Sequence, residues 1–107
     1  ISNISQQYVI PFVPKEYKSS WAQFSLLARS KDHRKTVMEH LKSNNIPSII
    51  YYKVPLHQQK IYHSLGYKTG SLPNAEDISS RIFSIPMYPY LKKEDQNKII
   101  EKLNEAV

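Results

Sequence analysis

Within Ser48–Gly66, SIIYYKVPLHQQKIYHSLG, two phenols, an ammonium and an imidazole gather around one expected bend. The apolar run Ile49-Ile50-Tyr51-Tyr52 reads as a strand, stops at Lys53-Val54-Pro55, and gives way to a helix-like segment at Leu56-His57. Proline fixes its own φ and has no N–H to donate, which suits a strand-to-helix corner or a first helical turn. Tyr51, Tyr52, Lys53 and His57 would then surround a single bend. Phenols and imidazoles donate and accept hydrogen bonds, and an ammonium attracts anions. A corner that is polar and aromatic at once is where a scaffold presents side chains to a ligand.

No second constellation competes with it. The chain has no cysteine, which excludes disulfides, thiolate nucleophiles and Cys-based zinc sites. Its two glycines, Gly66 and Gly70, cannot build a G-x-G-x-x-G or P-loop phosphate cradle. His33 and His40 are seven residues apart on one expected helix and no H-E-x-x-H occurs, so with His63 they are expected at the surface and no metal site is assigned. No Ser/His/Asp or paired-carboxylate spacing is present, and no catalytic residue is assigned.

The elements that must position the corner follow from periodicity. Tyr8-Val9-Ile10-Pro11-Phe12-Val13-Pro14 holds two prolines in four residues, which points to an extended edge segment. Ser19–Ala28 reads as a strand with Ala22, Phe24, Leu26 and Ala28 on its core face, and Trp21 as packing. Asp32–Asn44 reads as a helix buried through Val37, Met38 and Leu41, with Arg34, Lys35, Glu39 and Lys42 largely outside. Ser30 or Asp32 would cap its start and Asn45 would end it. Leu56–Leu65 is expected as a short helix with Ile61 and Leu65 inward and Gly66 as its C-cap. Asn74 and Asp77 suggest a capping arrangement for one or two turns through Ser80 or Arg81. Ile82–Ile85 is a short buried strand ended by Pro86, and Met87-Tyr88 should pack in the core and turn that follow. Lys92–Ala106 is an amphipathic helix with Ile99, Ile100 and Leu103 inward. The expected fold class is α/β of the α+β type, a small mostly antiparallel sheet with helices packed mainly on one face.

The 107 residues, 40% apolar and 22% charged, describe one globular domain. No run approaches the roughly 18 apolar residues of a membrane span, and no secretory signal shows at the N-terminus. The start at Ile1 hints at a fragment or processed product. A formal charge of +6 favours anionic partners such as nucleotides, phosphorylated metabolites or nucleic acid. The cations are nevertheless scattered, with Arg34-Lys35 and Lys92-Lys93 the only adjacent pairs.

From Ser20 to Leu103 the chain resembles the C-terminal small domain of the DegT/DnrJ/EryC1/StrS family, pyridoxal-phosphate-dependent aminotransferases that act on nucleotide-linked keto-sugars. The resemblance is carried by P-L-H at 55–57, L-P-N-A-E at 72–76 and S-I-P-M-Y-P at 84–89, in that order. The blocks S-W-A-Q-F, R-K-T-V-M-E-H-L-K and Y-H-S-L-G-Y support it. Three positions depart from the family: Tyr51-Tyr52-Lys53 replaces a His-Tyr-Pro type tripeptide, Asn45 replaces glycine, and Lys92 replaces a small hydroxyl N-cap.

The resemblance implies the fold of the C-terminal domain of fold-type-I aminotransferases. Residues 1–18 would be an extended lead-in from a large N-terminal domain, and 19–107 the small domain. It implies a parent enzyme that moves an amino group from glutamate to a nucleotide-diphosphate sugar, in the cytoplasm, as a homodimer. The cofactor and its Schiff-base lysine would belong to the large domain, so these residues should be inactive alone. Tyr51, Tyr52, Lys53 and His57 would help form the sugar-binding cleft. His57 suits a sugar hydroxyl or phosphate and Lys53 a diphosphate. The plainer alternatives are a helix-capping histidine, a solvated lysine and a tyrosine pair of which at least one is structural. Two other functions are kept. One is a stand-alone basic module binding nucleic acid or protein, against which stands the absence of an RNP1-like motif. The other is a catalytically inactive sugar-nucleotide sensor.

Overall fold

The computed structural model describes residues 3, 4 and 6–106. Two strands, β1 (Phe24–Leu27) and β2 (Ile82–Ile85), pair antiparallel with Phe24 opposite Ile85 and Leu26 opposite Phe83. Three helices, α1 (Lys31–Ser43), α2 (Pro73–Arg81) and α3 (Lys93–Glu105), accompany them, and α1 contacts both α2 and α3. Among the described residues no helix is long and apolar enough to cross a membrane. Phe24, Leu26 and Phe83 from the sheet meet Val37 and Leu41 of α1 and Ile99 and Leu103 of α3, all buried. Tyr8 joins this core from the N-terminal segment. Its hydroxyl donates to the Leu103 carbonyl at 2.7 Å, and its ring stacks on His33 and meets Phe83 edge-on. Burial pushes the Tyr8 phenol up to about 12, with the nearby Arg29 charge opposing.

Each flanking segment touches the sheet through one bridge. Val9 exchanges both backbone bonds with Leu27, and Ile49 does so with Ser84. The strand expected at Ile49–Tyr52 is therefore a single bridge followed by a turn. Prolines limit the ladders on one side only: two residues beyond Val9, Pro11 would face Ser25, and two residues before Ile49, Pro47 would face Pro86, and a proline cannot donate. Beyond Ile49 the chain turns at Tyr51 and pairs no further. The strand expected from Ser19 begins only at Phe24. Trp21 adopts a left-handed φ of 51°, which breaks the extended run, although its ring still stacks on Phe24. Ala22, expected inward, is exposed.

Helix α1 starts where expected, with the Ser30 hydroxyl accepting from the His33 N–H at 3.0 Å. Asn45, at φ 59°, supplies the left-handed residue after it. Gly66 likewise ends its segment at φ 81°. That segment is two 3₁₀ turns, Leu56–Gln58 and Lys60–Leu65, separated by an extended Gln59. Ile61 and Leu65 are exposed, against expectation. With three residues per turn, positions four apart point about 120° away from one another, so they cannot share an inward face. Helix α2 starts at Pro73, which occupies the first helical turn, and not at an Asn74 cap. Asp77 instead pairs with Arg81 one turn on, Oδ1 accepting from Nε at 3.0 Å. His33 and His40, expected at the surface, are half-buried, and Met87 and Tyr88, expected in the core and turn, are exposed.

Candidate functional site

The 51–57 corner is held from below by α2. Ser79, buried near the end of that helix, donates its hydroxyl to the carbonyls of Tyr52 at 2.8 Å and Lys53 at 3.1 Å. The Ser79 carbonyl accepts from Arg34 Nη1 at 2.8 Å, and the Ile82 carbonyl lies 3.4 Å from the same atom. Arg34 was expected outside α1. It is buried because it lines up with Val37 and Leu41 at i, i+3 and i+7 on the inward face. Its guanidinium serves the carbonyls that a helix C-terminus leaves without intrahelical partners. That burial holds its pKa below the usual arginine value. An α1 arginine, an α2 serine and the corner backbone thus form one hydrogen-bonded chain.

What the corner presents is mainly aromatic. The rings of Tyr51 and Tyr52 lie edge to face with centroids 5.8 Å apart, and the peptide between them is cis. Tyr51 is half-buried, Tyr52 is 71% exposed, and Lys53 is exposed. A groove of about 410 Å³ runs between the corner and α2, with Tyr51, Tyr52 and Leu56 facing Ala75, Ile78 and Ile82. Shallow apolar grooves edged by phenol hydroxyls suit a ligand with flat apolar faces and polar edges.

His57 does not line this groove. It is buried, with Nε2 2.9 Å from Glu76 Oε1 and Tyr67 edge-on to its ring at 6.2 Å. Both carboxylate oxygens of Glu76 also accept from the Gly70 N–H, at 2.8 and 2.9 Å, and Oε1 lies 3.4 Å from the Leu72 nitrogen. The carboxylate therefore ties the 3₁₀ segment, the 67–72 loop and α2 together. The His57 hydrogen bond, then that from Gly70, holds the Glu76 carboxyl below its usual range. A carboxyl with a depressed pKa stabilises the fold above its unfolded pKa, and that stabilisation is lost as pH falls through the folded value. Glu76→Gln should lower the melting temperature at pH 7. The gap to wild type should close as pH falls below about 4. A gap that is constant from pH 7 to pH 3 would remove the charge from this account.

The expected site residues thus divide. Tyr51, Tyr52 and Lys53 come together on one exposed corner, while His57 sits behind it. Glu76, Ser79 and Arg34 were not singled out as site residues. Glu76 lies inside the L-P-N-A-E block and His57 inside P-L-H, so a complementary pair was present 19 residues apart. No local periodicity links residues at that distance.

Comparison with known proteins follows the same geometry. Residues 1–104 match the DegT/DnrJ/EryC1/StrS aminotransferase family. The chain is 38% identical over 92 residues to a pleiotropic regulatory protein of Geobacillus stearothermophilus, covering 86% of this chain and 25% of that protein. It is 33% identical over 90 residues to a UDP-N-acetyl-3-dehydro-alpha-D-glucosamine 3-aminotransferase of Acidithiobacillus ferrooxidans, covering 84% of this chain and 23% of the relative. A DegT/DnrJ/EryC1/StrS aminotransferase from Brucella abortus superposes with a TM-score of 0.85 at 37% identity, covering 97% of this chain and 27% of that structure. The chain spans about a quarter of the length of the relatives it matches. A match over nearly its whole length, in sequence and in fold, places the chain in the DegT/DnrJ/EryC1/StrS aminotransferase family.

Proposed function

We propose that this chain is the small domain of a pyridoxal-phosphate-dependent aminotransferase that moves an amino group from glutamate to a nucleotide-linked keto-sugar. The observation that carries the proposal is the family match across residues 1–104 by a chain only about a quarter as long as its relatives. In this reading residues 1–18 lead in from a large domain and 19–107 form the small domain. The parent works in the cytoplasm as a homodimer.

The covalent lysine is assigned to the large domain. Eleven of the twelve lysines here are exposed, and the half-buried Lys102 is tied to Glu105 at 2.8 Å and Glu101 at 3.2 Å. A Schiff-base lysine needs a desolvated position beside its cofactor, and the exposure of these lysines within this domain supports that assignment. The cofactor, when bound, supplies the electron sink for moving the amino group. This chain's part is to shape the cleft. Tyr52 and Tyr51 give the sugar ring faces and hydroxyl partners, Lys53 meets negative charge, and His57 with Glu76 keeps the corner in place.

The test is an absorbance spectrum of the full-length protein incubated with pyridoxal phosphate, before and after adding glutamate. An internal-aldimine band that converts to the pyridoxamine form is the expected result. A second reading, a sugar-nucleotide sensor without chemistry, is favoured by one observation, the regulatory name of the 38% identical relative. A folded protein that forms no aldimine would replace the first reading with the second.

A further inference from the structure

The Tyr52 ring stands 71% exposed at the groove, with Tyr51 edge-on as its aromatic neighbour. A ring so exposed is not fixed by packing, and its place follows the backbone that carries it. That backbone belongs to no strand or helix. Among the described residues, the Tyr52 and Lys53 carbonyls accept from the Ser79 hydroxyl and from no other donor. A hydroxyl has one proton to give, so Ser79 holds both carbonyls from a single point between them.

Ser79 itself lies in the last turn of α2, where carbonyls lack intrahelical partners. Arg34 supplies the partner, with Nη1 2.8 Å from the Ser79 carbonyl and 3.4 Å from that of Ile82. Among the described residues no carboxylate comes within salt-bridge distance of Arg34. A buried guanidinium without counter-charge is a poor way to stabilise a fold. What it does fix is the end of α2, and with it the Ser79 hydroxyl.

From this we infer that Ser79 and Arg34 are positioning residues, which set where the Tyr52 ring meets the ligand. Ser79 edges the groove, but its one proton is committed to the backbone, and Arg34 does not line the groove at all. The inference rests on the aminotransferase reading for the ligand, a keto-sugar. Without the Ser79 hydroxyl, two carbonyls lose their donor, and the corner backbone relaxes toward water with the ring on it. A misplacement of about 1 Å in a group that orients a reacting molecule can cost about a hundredfold in rate.

The test uses the full-length protein with fluorotyrosine in place of Tyr52, whose fluorine resonance reports the surroundings of the ring. Wild type is compared with Ser79→Ala, Arg34→Met, the double variant and Tyr8→Phe. The last removes another buried hydroxyl, one that donates to an α3 carbonyl at 2.7 Å. Ser79→Ala and Arg34→Met should each move the resonance toward its position in the urea-unfolded protein. The double variant should move it no further than the larger single effect, since the two residues act in series. Tyr8→Phe should leave it in place. Melting temperatures show which variants are folded, and Ser79→Ala decides alone where Arg34→Met is not. With UDP- and dTDP-linked keto-hexoses as probes, Ser79→Ala should lower kcat/KM about tenfold or more, while the glutamate half-reaction stays within about twofold of wild type. An unmoved resonance in Ser79→Ala, an equal movement in Tyr8→Phe, additive single effects, or equal losses in both half-reactions would each overturn the inference. A resonance that moves as expected in a protein that forms no aldimine would remove the aminotransferase reading and leave the positioning of Tyr52 standing. An aldimine with an unmoved resonance would do the reverse.

Discussion

Phe83→Ala should destabilise the domain by about 3–5 kcal/mol, the usual cost of emptying a buried phenylalanine site. Phe83 is fully buried at the centre of β2, opposite Leu26 and edge-on to Tyr8. The cavity would open where the sheet, α1 and α3 meet, and the neighbours that line it come from four separate segments. They cannot collapse together to refill it, which places the cost toward the upper part of the range. In the full-length protein the loss is read by amide exchange in the α1 and α3 turns holding Leu41 and Leu103. Protection there should fall on the order of a hundredfold or more. Exchange rates within a fewfold of wild type would mean that the core is held together elsewhere.

The second large effect concerns the corner. Combined Tyr51→Phe, Tyr52→Phe and His57→Ala changes in the full-length enzyme should lower kcat/KM for the nucleotide sugar by about a hundredfold or more. On the proposed reading, in which both phenols meet the sugar, removing two hydroxyls and one positioning group costs on the order of 1 kcal/mol or above for each. In the proposed reaction the half-reaction with glutamate should change much less, because that step does not use the sugar. His57→Ala also leaves Glu76 without one of its donors, so it acts on the Lys53–Leu56 geometry as well as on the groove. Full activity toward the sugar in the triple variant would remove the case for these residues. An equal loss in both half-reactions would show that the corner fails by unfolding.

The two results probe different layers of one arrangement. The core of β1, β2, α1 and α3 fixes α2 through Arg34 and Ser79, and α2 in turn fixes the corner through the Tyr52 and Lys53 carbonyls. No regular ladder supports residues 51–57, so the site depends on side-chain bonds from elements far away in sequence. This accounts for the presence of a buried serine and a buried arginine near the end of a short helix.

Much of this was determined by the sequence alone. The three helices, β2, a cap at Ser30 or Asp32, and the left-handed Asn45 and Gly66 are local matters of periodicity and backbone permissiveness. Those properties act over one or two turns and are written residue by residue. The ordered blocks P-L-H, L-P-N-A-E and S-I-P-M-Y-P carried the family, and a single expected corner already held Tyr51, Tyr52, Lys53 and His57. Tertiary structure alone decided how far the sheet extends, since Pro11, Pro47 and Pro86 limit one side of the flanking bridges and a turn at Tyr51 ends the other. It turned Ile61 and Leu65 outward by winding their segment as 3₁₀. It drew Arg34 inward to carbonyls 45 and 48 residues away, and it set Glu76 against a buried His57. Each of these depends on which distant backbone group arrives beside a side chain, and that proximity is created by packing, which no local pattern encodes.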